Sequence, residues 1–474
     1  MALFTAEPTW AGRTLCISDT GVTLKYGDLD EFFSRFTTVA EERSLGFILC
    51  ENIPGVLVAY LAALRGWAVP VLLDARIEPA MLQSLIDAYQ PAWVLLPNTV
   101  GPAVRKVLGE TDVLMDELDC QLLGRVGVTS PPLHPDLAVL LTTSGSTGSP
   151  KMVRQTYGNL LTNAHSIMEY LCLSEDDRPI TTLPMNYTYG LSVIQSHSLV
   201  GATILMTTRG VLEPEFWDFF KKERATSFYG VPYTYQLLDK MNIADMSLPS
   251  LRTMTQAGGK LSNDLHRKFA QWAKDTDRRF YVMYGQCEAT ARMGFLPWQR
   301  SLDKIGSIGI AIPGGTFHLE DEAGELVLDP GQVGELCYRG PNVALGYATC
   351  AADLALPDQM LGRLHTGDLA KRDEEGYYYI VGRKNRDVSL MGNRINLDDA
   401  EQLLAARFPE GDFACIGDDK HLTIYTAGFD AELAEEYLSQ VTHLPRSAFR
   451  SMPIAEIPRN EVGKVVYPLL TQTR

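Results

Sequence analysis

The sequence predicts an α/β fold: a large N-terminal domain of two layered α/β subdomains plus a β-rich module, followed by a small α+β C-terminal domain. Three observations predict it. Helix-like and strand-like segments alternate through residues 45–125 and again through 137–284. From about 305 to 382, short apolar pieces set off by Gly and Pro replace that rhythm. After "GRKNRD" the chain reads as one further compact unit, which places the boundaries at 1–384 and 385–474. Alternation of this kind marks a mostly parallel sheet covered by helices.

In order, "GVLVAYLAALRGW" has the length and apolar content of a buried helix, and "AVPVLLD" those of a buried strand. "EPAMLQSLIDAYQ" and "AWVLLP" repeat the pair. Residues 55–73 form the most hydrophobic window, but Arg65, Gly66 and Pro70 interrupt it. A core helix running into a strand fits it better than a membrane span. In the second round "LAVLLTTSG" is a strand opening into a loop, "YGNLLTNAHSIMEYL" a helix, "PITTLP" a strand and "YGLSVIQSHSLV" a helix. "ATILMT", "TSFYGVP", "LRTMTQAGG" and "RFYVMYG" read as strands separated by helices near 213–224, 233–241 and 262–274. In the β-rich module "GTFHLED", "GELCYRG" and "GYYYIVG" read as strands.

With 474 residues and 46% hydrophobic content the chain exceeds one typical domain and can bury a large core. Its formal net charge of −16 gives no overall attraction to nucleic acid or an anionic membrane. Any anion it binds needs a local device. The eight cysteines include no CxxC, and the eight histidines form no HExxH or other close pair. Neither a disulfide framework nor a zinc site is expected, and a reducing cytoplasm is the expected compartment. "MALFTAEPTWAGR" has neither the basic start nor the apolar run of a secretory signal.

The segment "LLTTSGSTGSPKM", 140–152, is an apolar strand running into a Gly/Ser/Thr loop that ends in Lys151. Backbone N–H groups and hydroxyls on such a loop can cradle an anion. The same composition also serves inert connections. It is not a Walker loop, because Pro150 and Met152 flank the lysine where that motif needs Gly and Ser/Thr.

Further motifs accompany the loop: "QAGGKL" (256–261), "YGQCEAT" (284–290), "GELCYRGPNVALGY" (334–347), "LHTGDLA" (364–370), "YIVGRKNRDVSLMGNRINLDDAE" (379–401) and "PRNEVGK" (458–464). In this order and at these distances they resemble the adenylate-forming acid ligases. That group contains acyl-CoA synthetases, aryl-acid ligases and the adenylation domains of peptide synthetases. The resemblance extends from "TLKYGDLDEF" at 23–32 to the "GK" at 463–464.

The resemblance implies activation of a carboxylic acid by ATP with Mg2+. The carboxylate attacks the α-phosphate and pyrophosphate leaves. The acyl group then passes to a pantetheine thiol, of CoA or of a free-standing acyl carrier protein. The first step joins two anions, so the site must neutralise charge and fix geometry. By the matching pattern Thr143, Ser144, Gly145, Ser146, Thr147, Gly148 and Lys151 surround the β- and γ-phosphates. Gly258 and Gly259 admit base and substrate closely, and Tyr284 lies against the adenine, with Gly285 and Cys287 in the same nucleotide-binding motif. Glu288 holds Mg2+, Asp368 accepts from the ribose hydroxyls, and Arg383 reaches the ribose or a phosphate. Lys464 bridges the acid carboxylate and the α-phosphate. The small C-terminal domain is implied to be mobile, swinging about a hinge at Asn385 so that "RDVSLMGNRI" replaces Lys464 and forms the thiol tunnel.

Three positions depart from the family pattern. Cys287 stands where Thr is usual, and losing one neutral hydrogen bond costs roughly 0.5–1.5 kcal/mol. An accessible Cys287 would also react with thiol reagents. Asn385 replaces a charged hinge residue, and Tyr467 stands where an Arg often follows the lysine. The acid pocket falls on "LPMNYTYGLSV", with Asn186, Tyr187, Tyr189 and Gly190, and on Val231 of "YGVPYTY". Amino-acid-activating members carry an Asp where this chain has Gly190, and no carboxylate lies between Leu183 and Val200. A buried ammonium without a counter-charge is costly, so an aryl or short to medium aliphatic acid without an α-amino group is expected. With no carrier segment after Arg474, the thiol acceptor is expected to be a separate molecule. Two other readings stay open: a stand-alone amino-acid adenylation enzyme that loads a carrier protein, and an ATP-binding regulatory protein whose chemistry has decayed. The oligomeric state is left open.

Overall fold

The structure is a computed structural model; it describes residues 8–38, 40–142, 151–321, 323–383, 387–418, 420–458, 465 and 467–470. The described residues divide into two compact units, one up to Gly382 and one after it.

The first unit is built on two large sheets. One has eight strands in the spatial order Gly346–Ala348, Met152–Thr156, Leu137–Thr142, Val69–Asp74, Leu45–Cys50, Trp93–Pro97, Cys120–Arg125, Thr111–Glu117. The four central strands are parallel. Strand alternation sends Leu45, Phe47 and Leu49 into one core and Ile48 and Cys50 into the other. Helix Pro79–Tyr89 covers the first face through Leu82, Leu85, Ile86 and Tyr89. Helix Pro54–Arg65 covers the second. It is apolar on all sides, and every residue except Arg65 is buried.

The other large sheet has five strands, Ser227–Gly230, Thr253–Gln256, Arg279–Tyr284, Gly294–Leu296 and Ile310–Ala311. The first three are parallel and the last two reverse direction. Alternate residues of the central strand again serve two cores. Phe280 and Val282 meet helices Pro214–Lys222, Pro232–Lys240 and Asn263–Asp275. Tyr281 and Met283 meet helices Tyr157–Leu171 and Thr188–Ser198. A three-stranded sheet joins Ile204–Met206, Thr14–Ser18 and Thr23–Lys25. The β-rich part is a four-stranded sheet of Thr316–Glu320, Val333–Arg339, Arg363–Arg372 and Tyr378–Arg383.

The second unit has the hairpin Asp387–Leu390 with Asn393–Asn396 and a three-stranded sheet of Asp412–Gly417, Leu422–Ala427 and Phe449–Pro453. Helices Leu397–Arg407 and Ala431–Thr442 pack on it around Leu390, Leu404, Ile424 and Leu438.

The α/β expectation holds, with local differences. The eight-stranded sheet is parallel only at its centre, because antiparallel strands close both edges. "PITTLP" makes only the isolated bridges Pro179 with Ser227 and Ile180 with Leu205. Pro179 and Pro184 have no N–H to give a ladder, and the Thr181 hydroxyl instead bonds the backbone of Thr207. Residues 55–73 are the core helix and strand expected, and no described helix is long and apolar enough to cross a membrane.

Candidate active site

The segment "YGQCEATAR" leaves strand Arg279–Tyr284, turns sharply, and returns as the antiparallel strand Gly294–Leu296. The turn needs glycine at its start, because a Cβ on Gly285 would lie 1.6 Å from the Ala291 carbonyl oxygen. A short helical turn, Cys287–Ala289, follows. Thr290 and Ala291 then take φ of +55° and +91°, a left-handed backbone that non-glycine residues adopt only under constraint.

This loop and strand Arg363–Arg372 together present one buried carboxylate, that of Asp368. The Tyr284 hydroxyl donates to Asp368 Oδ2 over 2.5 Å, and Gln286 Nε2 donates to the same oxygen over 3.2 Å. Gln286 also reaches the Thr366 carbonyl at 2.9 Å, which locks its orientation. Asp368 is only 2% exposed. A carboxylate fixed by a phenol and an amide is presented in one geometry.

A second constellation is centred on Glu288, two residues further along the loop. Tyr347, opposite Val153 in the ladder, donates its hydroxyl to Glu288 Oε1 over 2.9 Å. Lys151 Nζ sits 3.7 Å from the centroid of the same ring, a cation–π contact. One phenol therefore holds an anion at its edge and a cation on its face. Asn159 supports this arrangement from helix Tyr157–Leu171. It closes a capping box with Thr156, and its amide donates to the carbonyls of Pro341 and Val343, in the segment that leads to Tyr347. Tyr347 ends a motif singled out in the sequence, but nothing in its letters assigned it a task.

Cys287 is buried, and burial beside Glu288 pushes its thiol far above the ordinary range. Gln155 Nε2 donates to its carbonyl at 2.8 Å. The condition for reaction with thiol reagents, an accessible side chain, is not met, and the thiolate is suppressed as well.

The expected acid-pocket residues lie on the face of the five-stranded sheet covered by helices Tyr157–Leu171 and Thr188–Ser198. Gly258 has φ of +83°, and a Cβ there would lie 2.5 Å from the Tyr187 hydroxyl and 3.1 Å from Val231 Cγ1, so the three converge. Gln256 Nε2 fixes the turn by donating to the Gly259 carbonyl. The rings of Tyr187, Tyr189 and Tyr229 meet edge to face in series, and Tyr189 shares a 2.6 Å hydrogen bond with Thr255. Burial pushes the Tyr187 phenol up to about 12 and those of Tyr189 and Tyr229 up also, so all three are neutral. Burial holds His197 down at about 4. The neutral ring donates from Nδ1 to the Val193 carbonyl and leaves Nε2 for the Tyr229 hydroxyl at 2.9 Å. Asn186 Oδ1 is buried without a hydrogen-bond partner. Gly190 packs against backbone: a Cβ would lie 2.4 Å from the Pro184 oxygen. No side chain, a carboxylate included, has room there.

Arg292, two residues beyond the "YGQCEAT" motif, escaped the sequence reading. It is 1% exposed and lies on the same side of the sheet as Tyr189, with its guanidinium carbon 5.1 Å from the centroid of the Tyr189 ring. Thr143, Ser144, Gly145, Ser146, Thr147, Gly148, Asn385, Lys464 and the side chain of Arg383 lie outside the described residues.

Among the described residues, cation-ligand chemistry is found at Glu288 and on the four-stranded sheet. Glu288 offers carboxylate oxygen, the donor that Mg2+ prefers. On the four-stranded sheet, His318, Glu320 and Cys337 bring donor atoms within 4.8 Å of one another. Cross-strand register places Cys337 opposite both His318 and His365. Strand alternation turns this set away from the face on which the neighbouring Phe317 packs against Tyr284.

The family described as AMP-binding enzyme matches residues 6–348. Feruloyl-CoA synthase of Amycolatopsis sp is 30% identical over 352 residues, 70% of this chain and 67% of that protein. In fold, the chain is similar to o-succinylbenzoate CoA synthetase from Bacillus subtilis. A double mutant of that enzyme bound with a product analogue has a TM-score of 0.78 at 20% identity, covering 97% of this chain and 96% of that one. The same enzyme in complex with ATP and magnesium ion has a TM-score of 0.66 at 21% identity, covering 97% and 96%.

Proposed function

This chain belongs to the AMP-binding enzyme family and is an AMP-forming acid ligase, and from that premise we propose the following division of labour among its residues. ATP and a carboxylic acid lacking an α-amino group bind on the first unit. A carboxylate oxygen attacks the α-phosphorus, the bond to the bridging oxygen of pyrophosphate breaks, and acyl-AMP forms. A pantetheine thiol, of CoA or a carrier protein, then attacks the acyl carbonyl and AMP leaves.

Asp368 accepts from the ribose hydroxyls, held in aim by Tyr284 and Gln286. The convergence of Gly258, Tyr187 and Val231 lets a flat group pass close to the backbone. Lys151 and the loop 143–148 attend the outgoing phosphates. Glu288 would hold Mg2+, which when bound neutralises charge on the polyphosphate. The donor chemistry fits, because Tyr347 orients the Glu288 carboxylate and places Lys151 on its other side. Lys464 bridges carboxylate and α-phosphate, and Asn385 serves as the hinge before thiol transfer.

The observation that carries this reading is that one strained loop both carries Glu288 and, through Tyr284 and Gln286 at its start, holds Asp368 of strand Arg363–Arg372. The acid preference rests on Gly190, which admits no carboxylate, and on the cationic Arg292 in the same wall, which repels an ammonium. Acid-dependent exchange of labelled pyrophosphate into ATP tests the reading. Exchange with at least one acid is expected, and none across a broad panel contradicts it. Lys464→Ala is expected to abolish exchange while thioester formation from supplied acyl-adenylate persists. Equal loss of both would contradict the two-stage division.

A further inference from the structure

Arg292 is a fully buried cation with neutral neighbours. Its Nε donates to Ser192 Oγ at 3.2 Å, and its Nη1 to the Tyr170 hydroxyl at 3.0 Å and toward Met283 Sδ at 3.4 Å. The face of Tyr189 covers the guanidinium. Among the described residues no carboxylate pairs with it, and Nη2 is buried with no hydrogen-bond partner. A guanidinium cannot shed its proton to escape this cost. A buried charge without a counter-charge is among the most expensive features a fold can keep. The surrounding phenols cannot supply one, because burial keeps Tyr170, Tyr189 and Tyr229 protonated.

The main chain at Arg292 is held with unusual care. Thr290 and Ala291 enter it through left-handed backbone. Two buried amides, Asn163 Nδ2 at 2.7 Å and Asn342 Nδ2 at 3.1 Å, then clamp its carbonyl. Backbone strain over-determined by its surroundings is characteristic of ligand clamps. The side chain so placed reaches the aromatic wall of Tyr189, which continues through Tyr187 to Gly258.

We propose that Arg292 is the specificity-determining residue of the acid pocket, and that the acid activated here carries a second carboxylate, which accepts from Nη2 and supplies the missing counter-charge. The inference rests on the reading of Tyr187 and Tyr189 as the pocket wall of an acid-activating site. It narrows the substrate class from acids in general to dicarboxylic acids. The distal carboxylate pairs with Arg292 while the proximal one reacts.

The test is pyrophosphate exchange by the wild-type chain with matched pairs, each a dicarboxylic acid and its half-amide of equal length. Exchange with a diacid is expected, with KM at least about tenfold higher for the half-amide, since a buried charge-assisted pair is lost. Arg292→Met is expected to erase that ratio, chiefly by raising KM for the diacid, and Arg292→Lys to restore part of it. The thermal midpoint of each variant reports folding. Should Arg292→Met not fold, the wild-type ratio alone decides. Exchange with half-amides or simple monoacids at equal or lower KM overturns this inference and leaves the adenylation reading standing, as does a diacid preference unchanged in a folded Arg292→Met. No exchange with any acid overturns both.

Discussion

The Tyr347 hydroxyl donates to Glu288 Oε1 across 2.9 Å, and the face of that ring carries the Lys151 ammonium. These residues reach one point because strand Gly346–Ala348 lies against strand Met152–Thr156, which starts one residue after Lys151. A single phenol thus sets the spacing between the carboxylate proposed to hold Mg2+ and the cation proposed to attend phosphate.

Tyr347→Phe keeps the ring under Lys151 and deletes the bond to Glu288. A hydrogen bond to a charged group contributes about 1.5–3 kcal/mol. The expected result is a rise of roughly ten- to a hundredfold in the Mg2+ concentration needed for half-maximal exchange. Tyr347→Ala should add a weaker grip on ATP. An unchanged Mg2+ profile in Tyr347→Phe would detach Glu288 from metal binding.

Asp368→Asn leaves a side chain of the same shape that Tyr284 and Gln286 can still touch, but removes the charge. ATP affinity measured by calorimetry should fall by about ten- to a hundredfold, while acid KM at saturating ATP stays close to wild type. A shift confined to the acid would place Asp368 in the wrong half of the site.

Thiol reactivity separates buried from exposed cysteines. At mildly alkaline pH an alkylating reagent should modify the exposed Cys172 in the native protein and spare Cys287 until the chain unfolds. Peptide mass mapping reads this directly, and early labelling of Cys287 would contradict its burial and raised pKa.

Burial holds His197 and His266 at about 4. These values lie below the roughly 6.5 of an unfolded histidine. Between the two values the unfolded chain binds protons that the folded chain refuses. Stability is therefore full above about pH 6.5 and falls as pH drops toward 4, by up to ~1.4 kcal/mol per unit for each histidine. The thermal midpoint should decline between pH 6.5 and 5, and the decline should be shallower in His266→Gln. A flat midpoint across that window would contradict the buried neutral assignment.

The parallel core was legible because runs such as "VPVLL" and "WVLLP" are apolar throughout and are separated by helix-length segments. The edges were not. Strand Met152–Thr156 carries Arg154 and Gln155, polar letters that the fold buries completely, with Arg154 bonding the carbonyls of Leu345 and Tyr347. The hairpin of Thr111–Glu117 and Cys120–Arg125 turns through Leu118 and Asp119, both with positive φ, where an Asn-Gly pair would have announced it. In the candidate site, the motifs singled out Asp368 and Tyr284, which the fold brings into hydrogen-bond contact. Tyr347 and Arg292 were not legible, since their meaning comes from what lies across a ladder or beneath a helix. The same holds for His318, Cys337 and His365, which strand register aligns although the sequence separates them widely.

The central claim is that the acid carboxylate attacks the α-phosphorus of ATP. It is tested most directly by turnover of an acid whose carboxylate oxygens are isotopically heavy, followed by mass analysis of the products. One heavy oxygen in AMP and none in pyrophosphate is the predicted result. Heavy oxygen in inorganic phosphate, or AMP released without it, would contradict the account.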